Sequence, residues 1–448
     1  MDGGLAAPTN PQRRVVFSAL HKFHSKVRQR RFRVTPWSFE KFVETRGRKK
    51  AVYQAALEKY EKVGVIPQDW KVKTFVKAEK LNLTKKPDPA PRVIQPRSPV
   101  YNLVVGRYIS PLEAILYKNI TSIFHHVTVM KGMNARQMGA AISEKWQRLR
   151  RPVAVGFDVH RMDQFCTRSL LEWEHSVYKM FIVDKKVRAL IAKQLRNKGK
   201  AYCYDGKVEY EVDGRRMSGD MNTGLGNCLI MCAVVYSALG ENAEYYLANN
   251  GDDCVLFCNE WDLDDFLRKI QVVLKTIGLP TEFETPVYEL EQVEFCQCHP
   301  VFDGKDWYMI RDPRTCLDKD ACTLKPVRSK REYDTLRASV AQSGLACAGH
   351  MPVFNEFYKA LGRGAGVRVD RDLVETGLQR LAKGMNMNGV LVTTSARVSF
   401  FRAFDISPDE QVAMENHWSR VEPEYAHVRA DGVLLSEGLT GSIMGCGV

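Results

Sequence analysis

Residues 245–248 and 254–257 are two apolar runs rich in aromatic and branched side chains, separated by a few residues that include Asn250-Gly251-Asp252-Asp253. Asn and Gly tolerate the positive-φ backbone that a tight turn needs, so the segment reads strand, tight turn, strand. A third apolar, β-branched run at 153–157 has the pattern of a buried strand and ends at Asp158. A fold that pairs these strands places carboxylates at the ends of adjacent rigid elements, and few architectures tolerate that without a use for it.

The rest of the chain supplies helices and a second hairpin. Residues 51–63 read as a helix closed by Gly64, and helical periodicity returns over 101–147. Residues 201–212 alternate Tyr202, Tyr204, Val208, Tyr210 and Val212 around Asp205-Gly206, a hairpin pattern. Residues 226–239 form a buried-looking helix. Leu263, Phe266, Leu267, Ile270, Leu274 and Ile277 recur at helical spacing before Gly278. Residues 293–298 and 308–310 read as further strands, and the chain from about 325 is mostly helical in pattern. Pro87, Pro89, Pro91, Pro96 and Pro99 exclude regular helix over 84–99, which reads as extended chain held in a defined shape.

Composition narrows the partners. Of 448 residues, 45% are apolar and 26% charged, which excludes wholesale disorder and pure coiled coil. The 66 Lys and Arg against 52 Asp and Glu leave a formal charge of +14, favouring nucleic acid or an acidic membrane surface. Residues 11–50 are strongly basic with interleaved Phe17, Phe23, Phe32, Trp37, Phe39 and Phe42. They read two ways, as a tract that follows a phosphate backbone or as amphipathic helices with a basic solvated face. Residues 1–10 lack the charged start and apolar core of a signal peptide, and the most apolar window, 225–239, is too short to span a bilayer. The 12 cysteines, none before Cys166, read as reduced thiols of a cytosolic compartment. Cys296, Cys298, His299, Cys316 and Cys322 fit no paired zinc module, so buried thiols are the better reading.

Four segments carry chemistry jointly. They are Asp158 with Asp163 five residues later; the Gly-rich Ser218-Gly219-Asp220-Met221-Asn222-Thr223-Gly224-Leu225-Gly226-Asn227; Gly251-Asp252-Asp253; and the basic segment with Lys77, Lys80, Lys85, Lys86 and Arg92. Alone, each has a bland reading as a turn, a helix cap or a solvated face. Together they suit nucleotide addition, in which a 3′-hydroxyl attacks an α-phosphate as pyrophosphate leaves. Two divalent ions roughly 3.5–4 Å apart stabilise the attacking and leaving oxygens, and hard carboxylates hold them. Cations around the leaving triphosphate complete the requirement.

The string Lys77 to Lys80, the segment Pro87-Asp88-Pro89-Ala90-Pro91-Arg92-Val93-Ile94-Gln95-Pro96-Arg97, the Ser218 to Asn227 loop and Asn250-Gly251-Asp252-Asp253-Cys254 resemble the motifs of viral RNA-dependent RNA polymerases. The resemblance is greatest to the tombusvirus-like plant positive-strand viruses and spans roughly residues 70–300. It implies an α+β, right-handed fold of fingers, palm and thumb, with an antiparallel palm sheet backed by helices. Its expected domains are 1–150 as basic segment and fingers (a nucleotide-facing basic loop at 73–107 included), 151–165 and 218–310 as palm, 166–217 as a fingers insertion with hairpin, and 311–448 as thumb. It implies that Asp158, Asp252 and Asp253 are catalytic and bind Mg2+ or Mn2+. Asp163 and Asn227, supported by Thr223, would sense the ribose 2′-hydroxyl, and Ser218 and Gly219 would form a mobile loop that lets the template advance. Arg92, Lys80 and Lys86 would line the channel of the incoming nucleotide. Lys77 and Arg97 would meet RNA, and Cys296 and Gln297 would lie in a turn gripping the primer end.

The implied partners are template and nascent RNA, ribonucleoside triphosphates and a viral auxiliary replication protein. Initiation without a primer is expected, in membrane-associated replication complexes of the host cytoplasm, with membrane attachment only indirect. The sequence departs from the family at 278–286, which holds no lysine to protonate pyrophosphate. Lys275 lies nearby, and the general acid stays unassigned. A reverse transcriptase shares the palm, but it uses an aromatic gate at the sugar and usually an aromatic before Asp-Asp, where this chain has Asp163 with Asn227, and Gly251. A non-catalytic RNA-binding protein is the remaining alternative.

Overall fold

In the computed structural model, residues 10–80, 88–374, 377–425, 427–430 and 433–436 are described. The fold is mixed α+β with several small sheets. It divides into two compact units, Met1–Lys77 with Ala90–Met130 and Arg151–Pro286, and Ala78–Pro89 with Lys131–Arg150 and Val287–Val448.

The first unit contains β1 (Val72–Val76), β2 (Val93–Ile94), β3 (Pro152–Val159), β4 (Arg196–Cys203), β5 (Gly206–Asp213), β6 (Tyr245–Asn249), β7 (Cys254–Asn259) and β8 (Thr281–Phe283). Its central sheet has the order β6-β7-β3-β8, every neighbour antiparallel. All six residues of β7 are buried, which explains a continuous apolar run where a one-sided strand would alternate. Behind it lies the helix Thr223–Leu239, apolar around its whole circumference and buried from Leu225 to Ser237. The helix Leu263–Ile277 buries one face and stops at Gly278, whose left-handed φ of 79° closes the last turn.

Burial favours one of the two readings of the basic N-terminal tract. Val16, Phe23 and Val27 on the helices Arg13–Ala19 and His21–Gln29, and Leu20 between them, are fully buried, while Arg13, Arg14, Lys22 and Arg28 point outward. Phe23 packs against Phe124 and Tyr236. Phe23 and Phe42 are core residues of amphipathic helices, whereas Phe32 lies outside them and is exposed.

A second sheet has the order β2-β1-β4-β5. The β4–β5 hairpin is longer than its apolar alternation indicates, because its base is joined by charge pairs: Arg196 and Lys198 meet Glu211, and Lys200 meets Glu209 at 2.6 Å. A pattern of alternating hydrophobicity does not register such rungs. Within the proline-rich segment, Val93–Ile94 pairs with Phe75 and Val76 as expected of extended chain. Lys85, Lys86 and Pro87 lie outside the described residues.

In the second unit, β9 (Cys298–Phe302) and β10 (Trp307–Arg311) form a hairpin against the helix Ala135–Gln147. This pair, expected with the palm, thus groups with the C-terminal helices Lys330–Ala348, Phe354–Gly362, Thr394–Phe404 and Pro408–Arg420. The strand expected over 293–298 begins only at its last residue. Val293 and Phe295 are buried, which produced the strand-like alternation, but they lie in a loop after the 3-10 turn Leu290–Gln292. Among the described residues, no helix is long and apolar enough to cross a membrane.

Gly139 sets the approach of the helix Ala135–Gln147 to β10. A Cβ there would land on the Trp307 carbonyl, which is backbone in a paired strand and cannot swing aside. Gly139→Ala is expected to cost about 1–3 kcal/mol, the range for overpacking. Urea denaturation of the variant and the parent checks it.

Candidate active site

The register of the central sheet brings the acidic strand ends together. Phe157 pairs with Cys254, and one residue beyond that pair stand Asp158 and Asp253. On its other side β3 pairs with β8, which sets Glu282 opposite Asp158. The β6–β7 turn is closed by the Asn250 N–H donating to the Asp253 carbonyl at 2.9 Å, and Gly251 takes a φ of 107° that a side chain would resist. Asn249, fully buried, donates its side-chain amide to the Gly251 carbonyl at 2.8 Å. Asp252 and Asp253 are thereby held at an exposed tip.

The acidic groups act on one another. Burial raises the Asp158 carboxyl above the usual range, and the charge of Asp252, with that of Glu282, raises it further. Asp163 is also raised, chiefly by burial, with Asp252 adding to the shift while Arg216 and a hydrogen bond from Asn227 oppose it. The charge of Asp252 therefore acts on both. Among the described residues, no group of three or more His, Cys, Asp or Glu side chains forms a ready metal cage. Of the three carboxylates expected to hold metal, Asp158 and Asp252 are electrostatically coupled, and Asp253 is the next residue along the backbone. Mg2+ binds through one or two carboxylates plus waters and substrate phosphates, so this donor set fits it.

The Gly-rich loop lies beside these carboxylates. Thr223 and Asn227 are one helical turn apart on Thr223–Leu239 and share a face. The Thr223 hydroxyl donates to the Met217 carbonyl at 3.0 Å, and that of Ser218 to the Val93 carbonyl at 3.2 Å. A Cβ on Gly219 would come within 2.5 Å of the Pro96 Cα, so only glycine allows the loop to rest there. Asp163 accepts a hydrogen bond from the Asn227 side chain, and the buried Asn227 Oδ1 has no hydrogen-bond partner.

The basic residues divide. Arg92 is exposed, its carbonyl accepting from the Lys77 N–H at 2.8 Å, and Lys77 is half-buried. Arg97, expected to meet RNA, is 3% exposed: it pairs with Asp220 at 2.6 and 3.2 Å and donates to Asn197 and the Trp70 carbonyl. Its guanidinium is spent on the interior, which removes it from an RNA-facing surface. Lys80, expected at the nucleotide, lies in the second unit. It donates to the carbonyls of Lys319, at 2.7 Å, and Cys322, at the C-terminal end of the helix Pro313–Ala321, where carbonyls lack intrahelical partners. Lys86 lies outside the described residues. Cys296 and Gln297 do form a tight turn, with φ of 55° and 60° and Phe295 and Cys298 exchanging both backbone hydrogen bonds. Lys275 is exposed in the last turn of its helix. Cys298 and Cys316 are buried thiols, and Cys296 and Cys322 are half-buried.

The family model described as viral RNA dependent RNA polymerase matches residues 4–426. The chain belongs to this polymerase family. It is 40% identical over 407 residues to the RNA-directed RNA polymerase of Tobacco necrosis virus (strain A), covering 89% of this chain and 56% of that protein. With the RNA-directed RNA polymerase of Turnip crinkle virus the identity is 39% over 396 residues, covering 87% and 51%. With that of Maize chlorotic mottle virus it is 41% over 387 residues, covering 85% and 40%. The polymerase-family chain spans about half the length of the curated relatives it matches.

Sequence reading missed several groups that shape this site: Asn249 at the turn, Glu282 beside Asp158, and the partners Asp220 and Glu174 of two buried arginines. Asn249 adjoins a visible turn signal, whereas the partners of Arg97 and Arg216 lie 123 and 42 residues away in sequence. Asp220→Asn leaves the Arg97 charge buried without its counter-ion. The variant is expected to lose about 3–5 kcal/mol of stability, as measured by urea denaturation.

Proposed function

We propose that this chain is the polymerising part of a plant positive-strand virus replicase and joins ribonucleoside triphosphates on an RNA template. The observation that carries the reading is the coupling of Asp158 to Asp252 across the end of an antiparallel sheet, in a chain of the polymerase family. In this reading the sheet β6-β7-β3-β8 is the palm, the β2-β1-β4-β5 sheet and the N-terminal helices belong to the fingers, and 311–448 is the thumb. The β9–β10 hairpin, with its Cys296-Gln297 turn toward the primer end, adjoins the thumb helices.

Asp158 and Asp252 would hold Mg2+ or Mn2+, with Asp253 as a further ligand. When bound, two such ions stabilise the attacking 3′-oxygen and the departing pyrophosphate oxygen. The protein's own groups select the sugar. The Asn227 amide nitrogen faces the Asp163 carboxylate, which leaves Oδ1 to accept the hydrogen of a ribose 2′-hydroxyl. A deoxyribose would leave that buried acceptor unpaired. Thr223 fixes the start of the helix that carries Asn227, Ser218 and Gly219 let the template advance, and Arg92 with Lys77 supplies positive charge toward phosphates. Primer-independent initiation, a viral auxiliary protein and indirect attachment to cytoplasmic membranes complete the proposal.

Asp252→Ala is expected to abolish incorporation of labelled UTP on an RNA template while RNA binding and the circular dichroism spectrum persist. Incorporation near the parental rate would overturn the metal assignment. Asp163→Ala or Asn227→Ala should lower the ribo-to-deoxy ratio in kcat/KM by about 10- to 100-fold, corresponding to the roughly 1–3 kcal/mol cost of an unpaired buried polar group. Steady-state kinetics with UTP and dUTP check it.

A further inference from the structure

Beneath the Gly-rich loop lies an ion pair with no solvent access. Arg216 is 4% exposed and Glu174, on the helix Arg168–Phe181, is fully buried; the two are 2.5 Å apart from Nη2 to Oε2. Glu174 is a hub. Its Oε1 also accepts from the Tyr178 hydroxyl at 2.7 Å and from the Asn222 amide at 2.8 Å, and Asn222 in turn accepts from Gln194 at 2.8 Å. Asn222 is the residue on which the helix Thr223–Leu239 begins. A Cβ on Gly226, the neighbour of Asn227, would come within 2.5 Å of Glu174 Oε1 and 2.6 Å of Arg216 Nη1. The pair therefore touches the helix at its start and directly before Asn227.

Arg216 also fixes Asp163. Its backbone N–H donates to the Asp163 carbonyl at 3.0 Å, and the Arg215 N–H donates to the Cys166 carbonyl at 2.8 Å, which docks the loop on the turn that carries Asp163. The guanidinium is the cation acting on the Asp163 carboxylate, and its Nε–H is buried without a partner. One charged group thus acts on Asp163 and lies against the residue before Asn227, and Glu174 bonds that group.

We propose that Glu174 and Arg216 form a positioning pair for ribose selection. Glu174 holds the guanidinium away from a direct bond with Asp163, so that the Asp163 carboxylate stays with Asn227 and the 2′-hydroxyl. This rests on the reading of Asp163 and Asn227 as the sugar sensor. A neutral group at 174 frees the guanidinium to bond the Asp163 carboxylate, and the Asn227 amide then loses the partner that orients its Oδ1 toward the 2′-hydroxyl.

The test is Glu174→Gln in this chain, with kcat and KM measured for UTP and dUTP on an RNA template. The ribo-to-deoxy ratio in kcat/KM is expected to fall about tenfold, on the scale of one charge-assisted hydrogen bond, chiefly through a higher KM for UTP. Glu174→Asp keeps the charge and should retain more of the ratio. Tyr178→Phe, which removes a single hydrogen bond to Glu174, should move the ratio in the same direction by a smaller factor, and it decides the matter if Glu174→Gln does not fold. An unchanged ratio, or equal losses with both nucleotides, would overturn the proposal and leave the pair purely structural. If Asp163→Ala itself leaves the ratio unchanged, the sugar-sensor reading fails and this inference falls with it. A ratio sensitive to Asp163 but not to Glu174 or Tyr178 overturns the positioning pair alone.

Discussion

The antiparallel register that pairs Phe157 with Cys254 obliges the molecule to carry like charges at one end of its main sheet. Asp158 meets the field of Asp252 on one side and of Glu282 on the other. Near a protein surface, two unit charges 4 Å apart interact by about 1–4 kcal/mol. Burial of each large apolar side chain contributes roughly 1.5–3 kcal/mol. Val153, Val155, Phe157, Leu256 and Phe257 are buried in the two strands concerned, with apolar helix behind them. The apolar term wins, so the sheet can hold like acidic groups together at one end.

The Gly-rich loop is held by the opposite arrangement, unlike charges out of water. Asp220, paired with Arg97, and Arg216, paired with Glu174, lie within the same stretch of chain, and each pair makes further hydrogen bonds. Such pairs add little net stability over a well-packed apolar core, yet losing one partner is expensive. Their effect is to make one loop position much better than its alternatives. Gly219 against Pro96 and Gly226 against the Glu174–Arg216 pair are the close approaches that this position requires. The Asp163–Asn227 contact then follows from where the loop is pinned.

The parts of this arrangement that sequence revealed are those encoded locally. The turn at Gly251 carries its own positive-φ signal, and Asp158 ends a run of branched residues. The parts it concealed depend on partners distant in the chain. Nothing near Arg97 indicates Asp220, and nothing near Lys80 indicates the end of the helix Pro313–Ala321. The turn at Cys296-Gln297 was placed by resemblance alone, since neither residue advertises the left-handed backbone that both adopt. The alternation over 293–298 reported burial correctly and geometry wrongly, because a loop that crosses a core buries every second side chain much as a strand does.

Positive charge shows why composition and surface must be separated. The excess of +14 belongs to the whole chain, but Arg97, Arg216 and Arg337 are almost fully buried and Lys80 caps a helix. On the β4–β5 hairpin, lysines are exposed yet paired across the strands with Glu209 and Glu211. A cation already bonded to a carboxylate releases little on meeting a phosphate, because the gain must first replace the pair it breaks. Residues such as Arg14, Lys22 and Arg28 differ, since their helices bury the opposite face and direct these groups to solvent. Solvent-directed positive charge therefore lies on the outward face of the N-terminal helices and at exposed positions such as Arg92. The interior arginines Arg97 and Arg216 instead hold the Gly-rich loop through Asp220 and Glu174.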